Sequence, residues 1–135
     1  IELKGGVDMT AESAPAPGFE KYPDHRVDIE PSDRHIRVLV GANVIADTQR
    51  ALAVQESRHD LVWYVPLQDV NTELLKPTQT STYCSFKGHA SYWSICVDGT
   101  EVADAVWSYE SPYQECQALR EHVAFYTNKV TLETL

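Results

Sequence analysis

Apolar positions first recur with a period of two after His35. Ile36-Arg37-Val38-Leu39-Val40, then Gly41-Ala42, then Asn43-Val44-Ile45-Ala46-Asp47 is the pattern of two short strands around a glycine turn. Residues 51–56 and 61–65 are further strand segments, and Pro66 stops the second. Residues 69–75 read as a short helical turn. Residues 76–83, which contain Pro77 and a run of Ser and Thr, read as loop.

The clearest local signal is the segment 90–107. Asp98-Gly99 at its middle supplies the positive φ angles of a type I′ turn, so the flanking runs are expected to pair as a tight hairpin. Counting back from Val97 opposite Thr100 sets Trp93 opposite Asp104 and Tyr92 opposite Ala105. One face then carries Trp93, Ile95, Val97, Val102 and Val106; the other carries Tyr92, Cys96, Ala103, Ala105 and Trp107. Both are largely apolar, which predicts a central hairpin covered on two sides. Ser111-Pro112-Tyr113-Gln114 then reads as a capping-box start, with Ser as N-cap and Pro at N1, for a helix to about His122 with Cys116 and Leu119 inward. Residues 123–126 and 130–132 are the last strand segments. The fold class predicted is mainly β, with two small antiparallel sheets and one short helix near the C-terminus.

The stretch before this periodicity is different. Ala14-Pro15-Ala16-Pro17-Gly18 suits neither helix nor ladder and offers no apolar face to bury. Residues up to about Glu30 read as an acidic tail. The flexible, Pro-rich part is set at 1–23 and a single β-rich domain at 24–135. Met9 is a candidate natural start, with Ile1–Asp8 left over from something upstream.

Composition narrows the function classes. Asp and Glu number 20 against 11 Lys and Arg, a formal net charge of −9, whereas nucleic acid and membrane surfaces call for concentrated positive charge. No apolar run is long enough to span a bilayer, and no signal-peptide pattern opens the chain. Cys84, Cys96 and Cys116 are odd in number and widely spaced, which favours a reducing, cytoplasmic setting; one bridge with a thiol left over is the alternative. Neither the cysteines nor the five scattered histidines have metal-ligand spacing, so no metal and no cofactor is expected.

Candidate chemistry concentrates at residues 82–93, where a thiol, an amine, an imidazole and four aromatic rings feed into the hairpin. Lys87 lies three residues from Cys84; if both enter one cleft, the ammonium favours the thiolate. The plainer reading makes Cys84 a small core residue and Lys87 a surface one. Glu56 ends a strand at a chain reversal: it is a candidate general acid/base or ligand-orienting carboxylate with a raised pKa, placed to reach a neighbouring loop and pair with Lys87, or else an exposed strand end paired with Arg58. His59 and His89 could bracket a metal, but a lone histidine is more often a hydrogen-bonded structural residue. Trp63, Tyr64, Tyr83, Phe86, Tyr92, Trp93, Trp107 and Tyr109 are too many rings for so small a core alone, and some are expected to wall a groove. No HExxH, P-loop, GxGxxG or GxSxG is present.

The run Thr82-Tyr83-Cys84-Ser85-Phe86-Lys87-Gly88-His89-Ala90-Ser91-Tyr92-Trp93 resembles the hallmark of a bacterial and fungal family catalogued as domain of unknown function 427. Tyr22-Pro23-Asp24-His25-Arg26-Val27, Val44-Ile45-Ala46-Asp47-Thr48, Tyr64-Val65-Pro66 with Asp69-Val70, Ala105-Val106-Trp107-Ser108-Tyr109 and Val123-Ala124-Phe125-Tyr126 fit as well. Ser85 departs from the pattern, which has Pro there, and a rigid loop is less assured for it. The resemblance implies a β-tent or Mss4-like fold. It carries over no zinc, since the paired cysteines of that wider group are missing, and no assigned activity. Some members of the group hold a flat ligand in an aromatic cage.

Three functions fit these residues. The first is a module that binds a small molecule or peptide, with Tyr64, Tyr92, Trp93 and Trp107 as walls and Glu56, Cys84 and Lys87 as polar groups. The second is a small-metabolite transferase or hydrolase whose Cys84 is activated by Lys87 or His89. The third is a protein-interaction domain, for which the same side chains would be dispersed.

Overall fold

The computed structural model describes residues 14–135. The Ile1–Asp8 extension, the Met9 start and most of the expected tail lie outside the described residues. Among the described residues, ten strands follow a one-turn α-helix, Gly18–Lys21: β1 Val27–Pro31, β2 Ile36–Val40, β3 Asn43–Thr48, β4 Leu52–Glu56, β5 Val62–Pro66, β6 Leu75–Cys84, β7 Gly88–Val97, β8 Thr100–Ser108, β9 His122–Phe125 and β10 Thr131–Thr134. They form a seven-stranded sheet in the order β1-β4-β5-β9-β8-β7-β6 and a three-stranded sheet in the order β10-β2-β3. Every pairing is antiparallel. The chain is therefore mainly β with two antiparallel sheets and a short helical segment, Gln114–Leu119, near the C-terminus, as expected.

The two hairpins marked by glycine turns form as expected. Val40 pairs with Asn43 in the first and Val97 with Thr100 in the second. Asp98 (φ 49°) and Gly99 (φ 75°) supply the two positive φ angles of the second turn. Beyond Ile95↔Val102 the pairing shifts by two, so that Trp93 faces Val106 and Tyr92 faces Trp107, not Asp104 and Ala105. Residues 103–105 bulge opposite Ser94. Asp104 takes φ 49°, its amide donates to Ser94 Oγ (3.1 Å), and its carboxylate accepts from the Thr78 and Thr80 hydroxyls (2.7 Å each). β7 and β8 are interior strands, as expected, but Ala103 and the turn end of the hairpin are exposed.

Three other expectations are corrected. Residues 76–83, read as loop, lie in β6. This strand is at the edge of its sheet, where Pro77 costs no ladder bond and Thr and Ser face solvent. The capping-box helix is instead a 3₁₀ segment, Gln114–Leu119, with Tyr113 before its first residue and non-helical φ/ψ at Cys116 (−120°, 24°). The Cys116 thiol is buried and donates to the Phe86 carbonyl, while the Gln114 amide is drawn to the Ala14 carbonyl. Cys116 and Leu119 do face inward. Lastly, β1 falls inside the stretch read as acidic tail, and Ala14–Gly18 does bury surface. Ala16 is 3% exposed, and its amide donates to Glu115 Oε1 (2.9 Å).

β9 pairs its first two residues with β5 and its last two with β8, joining two ribbons into one sheet. Two apolar clusters result. The first lies between the sheets, with Val38 and Ile45 of the small one meeting Val65, Ile95, Val106 and Val123 of the large one. The second gathers Val54, Tyr64, Tyr92, Tyr109, Cys116 and Leu119, and the 3₁₀ segment contributes its inward residues to it.

Candidate functional site

The second cluster opens into a cavity of about 450 Å³. Two sequence-distant pieces carry polar groups of its floor, and a third braces them. The first is the end of β4, where the chain reverses after Glu56: the His59 amide donates to the Glu56 carbonyl (3.0 Å) and Arg58 takes φ 68°. The second is the Ser85-Phe86-Lys87 loop closed by the Cys84↔Gly88 pair. Its three successive carbonyls are each held from outside: Ser85 O by the Gly18 amide (2.9 Å), Phe86 O by the Cys116 thiol (3.6 Å) and Lys87 O by the Tyr113 amide (3.0 Å). A clamped loop therefore forms without the family's proline. Gly88 (φ 121°) allows the exit from the loop, where an added Cβ would meet Ser111 O at 3.3 Å. The third piece is His25, whose ring stacks on Phe86 at 3.9 Å between centroids.

These pieces place Lys87 Nζ as donor to Glu56 Oε1 and His25 Nε2 as donor to Glu56 Oε2 (2.8 Å). Lys87 Nζ also lies 4.0 Å from Cys84 Sγ and over the Tyr109 ring, 5.9 Å from its centroid. The pair is largely withdrawn from water: the side chains of Lys87 and Glu56 are 8% and 12% exposed. Burial alone would raise the Glu56 carboxyl. The hydrogen bond and charge of Lys87, with the bond from His25, outweigh it and hold the carboxyl below the usual carboxylate range, which corrects the expectation of a raised value.

Above this floor stand rings. Trp107 Nε1 donates to the Tyr64 hydroxyl (3.1 Å), and Tyr92 links through its hydroxyl to Thr82 (3.0 Å) and Tyr126 (3.1 Å). Tyr64 and Tyr109 are buried, and desolvation pushes both phenols well up. Burial, with a bond to Tyr92, pushes the Tyr126 phenol up to about 12.

Of the side chains singled out in the sequence, Glu56, Tyr64, Cys84, Lys87, Tyr92 and Trp107 all line this cavity. Trp93 does not. Successive residues of a strand point to opposite faces, so Trp93 packs beside the first cluster and borders a separate depression with Leu67 and Arg120. His89 is exposed with its ring 4.8 Å from that of Tyr83, and it does not line the cavity. His59 stands at the cavity wall. Sequence reasoning missed the roles of His25 and Tyr126 here, and it named Tyr109 only among the rings of which some would wall a groove. The Tyr22–Val27 segment that fits the family pattern was the signal for His25. Cys84, Cys96 and Cys116 are all free. Among the described residues no three His, Cys, Asp or Glu side chains gather as a metal site, and no helix is long and apolar enough to cross a membrane.

No curated protein matches this sequence. The sequence pattern of one family, described as Domain of unknown function (DUF427), matches residues 28–134, and the chain belongs to that family.

Proposed function

We propose that this domain binds a small molecule in the cavity beneath Trp107. One observation carries the reading. Glu56 ends β4, Cys84 ends β6 and Lys87 lies in the loop that follows, yet they meet under the rings of Tyr64, Tyr92 and Trp107 around a space of about 450 Å³. That volume suits a compact ligand better than a peptide, and a buried ion pair is a costly thing to build into a core that only needs filling. The clustering of these side chains also favours a site over a docking surface. The two antiparallel sheets support kinship with the β-tent group, and three unpaired thiols support residence in a reducing, cytoplasmic setting.

The test is a thermal-shift screen of a metabolite library against the protein and its Trp107→Leu variant. Compounds that raise the melting temperature of the first and not of the second support the reading. A set of hits indifferent to Trp107, or a full library without hits, overturns it.

The 4.0 Å approach of Lys87 Nζ to Cys84 Sγ favours a second reading, a small-metabolite enzyme with Cys84 as nucleophile. The cavity then holds an electrophile over the thiol, with Lys87 as the nearby cation. Alkylation of Cys84 across pH, in the native chain and in Lys87→Met, tests it. A thiol equally inert in both is a core residue.

A further inference from the structure

We propose that the cavity receives the ligand through a hydrogen-bond acceptor oxygen, as in a small molecule with a carbonyl or carboxylate at one end. This rests on the binding reading above and adds the chemical class of what is bound.

The inference comes from which polar groups in the cavity remain unpaired. Glu56 is the charged acceptor of the floor, and both of its oxygens are already engaged, one by Lys87 and the other by His25. Each Glu56 oxygen thus already accepts one charge-assisted bond, and Asp60, the other carboxylate lining the cavity, is exposed to water. Among the buried groups of the floor, by contrast, donors remain without acceptors. Tyr109 is 8% exposed, borders the cavity, and its hydroxyl has no hydrogen-bond partner among the described residues. Tyr64 accepts from Trp107 Nε1, but its own hydroxyl proton has no acceptor among the described residues. Lys87 donates to Glu56, lies at long range from Cys84 Sγ, and has a third N–H without an acceptor among the described residues.

A buried donor without a partner carries a desolvation cost that natural structures rarely leave in place. Three such donors around one cavity fit an incoming oxygen. Burial keeps both phenols protonated, and hence donating, through the ordinary pH range. The Lys87 charge is already matched by Glu56, so a neutral carbonyl enters without leaving a net charge in the interior, and it is the better fit of the two. The rings of Tyr92 and Trp107 cover its apolar body.

The experiment uses three probes of one size: acetophenone, benzoate and benzylamine. Binding is followed by ligand-observed NMR with the whole chain, its Tyr109→Phe variant and its Trp107→Leu variant. The expected result is that acetophenone binds more tightly than benzylamine, and that Tyr109→Phe weakens acetophenone about tenfold, the worth of one hydrogen bond, while leaving benzylamine unchanged. Benzoate above acetophenone, with the same dependence on Tyr109, would make the source of the oxygen a carboxylate. Benzylamine binding as well as or better than both acceptors overturns the inference and leaves the binding reading intact. Failure of all three, or binding indifferent to Trp107→Leu, removes the binding reading with it. A second measurement guards against a structural role. If the Tyr109 hydroxyl is unpaired in the empty protein, Tyr109→Phe melts no lower than the native chain; a clear drop shows a hidden partner and overturns the proposal.

Discussion

At the scale of single residues, the Lys87–Glu56 pair is the most consequential feature. Lys87→Met leaves a carboxylate in the second core with His25 as its remaining hydrogen-bond partner, and at neutral pH it should destabilise by about 3–5 kcal/mol. The cost should depend on pH. In the native chain the Glu56 carboxyl lies below its unfolded value, so its contribution is present above about pH 4.3 and is lost as pH falls through the folded value. In the variant, burial is less opposed and pushes the same carboxyl upward, so acid favours its folded state. Urea midpoints of both chains at neutral and mildly acid pH check this: the gap should narrow on acidification, and a constant gap would count against it. Glu56, Cys84 and Lys87 were legible because short spacing and a strand end place them without tertiary information. His25 was not, because its position depends on stacking against Phe86 in a loop 61 positions away. Tyr109 was legible only as one ring among eight, because its burial depends on the 3₁₀ segment whose Cys116 and Leu119 share its cluster.

At the scale of elements, the sequence speaks most clearly where the turn chemistry is local. Gly99 sits at φ 75° with nothing within 4 Å of an added Cβ, so a substitution there meets strain and no clash. Gly99→Val should cost on the order of 1–3 kcal/mol, seen as a lower urea midpoint with an unchanged slope. An unaffected midpoint would mean that the turn relaxes freely. Gly18 is the converse case: an added Cβ would stand 2.7 Å from two carbons of the Phe86 ring and 2.8 Å from Ser85 Oγ. Gly18→Ala should therefore cost about 1–3 kcal/mol by crowding the clamped loop, whereas the same change on a loose tail costs nothing. A melting temperature equal to that of the native chain would refute the docking of this segment. β6 and the bulge in β8 escaped the sequence for one shared reason. Thr78 and Thr80 look like loop residues in isolation, and Asp104 looks like an ordinary strand position, until their side chains are seen to bond each other.

At the scale of the whole molecule, the net charge of −9 sets a background of self-repulsion that acts on the native state and is screened by salt. Raising sodium chloride from low concentration to about half-molar should raise the urea midpoint, since the buried Lys87–Glu56 pair is screened far less than the surface. A midpoint that falls would show that surface ion pairs outweigh the repulsion. The cavity itself belongs to this scale. Its loop is gripped by Gly18, Tyr113 and Cys116, and Ala16 is tied to Glu115 across 99 positions of chain. Closing such long loops costs entropy that only the assembled fold offsets, so the cavity is expected to form with the native state. Occupancy and native population are then a single linked equilibrium. A ligand at one hundred times its dissociation constant would add about 2.7 kcal/mol to the stability of the entire fold. The concentration of that ligand in the cell would thereby govern how much of this protein survives proteolysis.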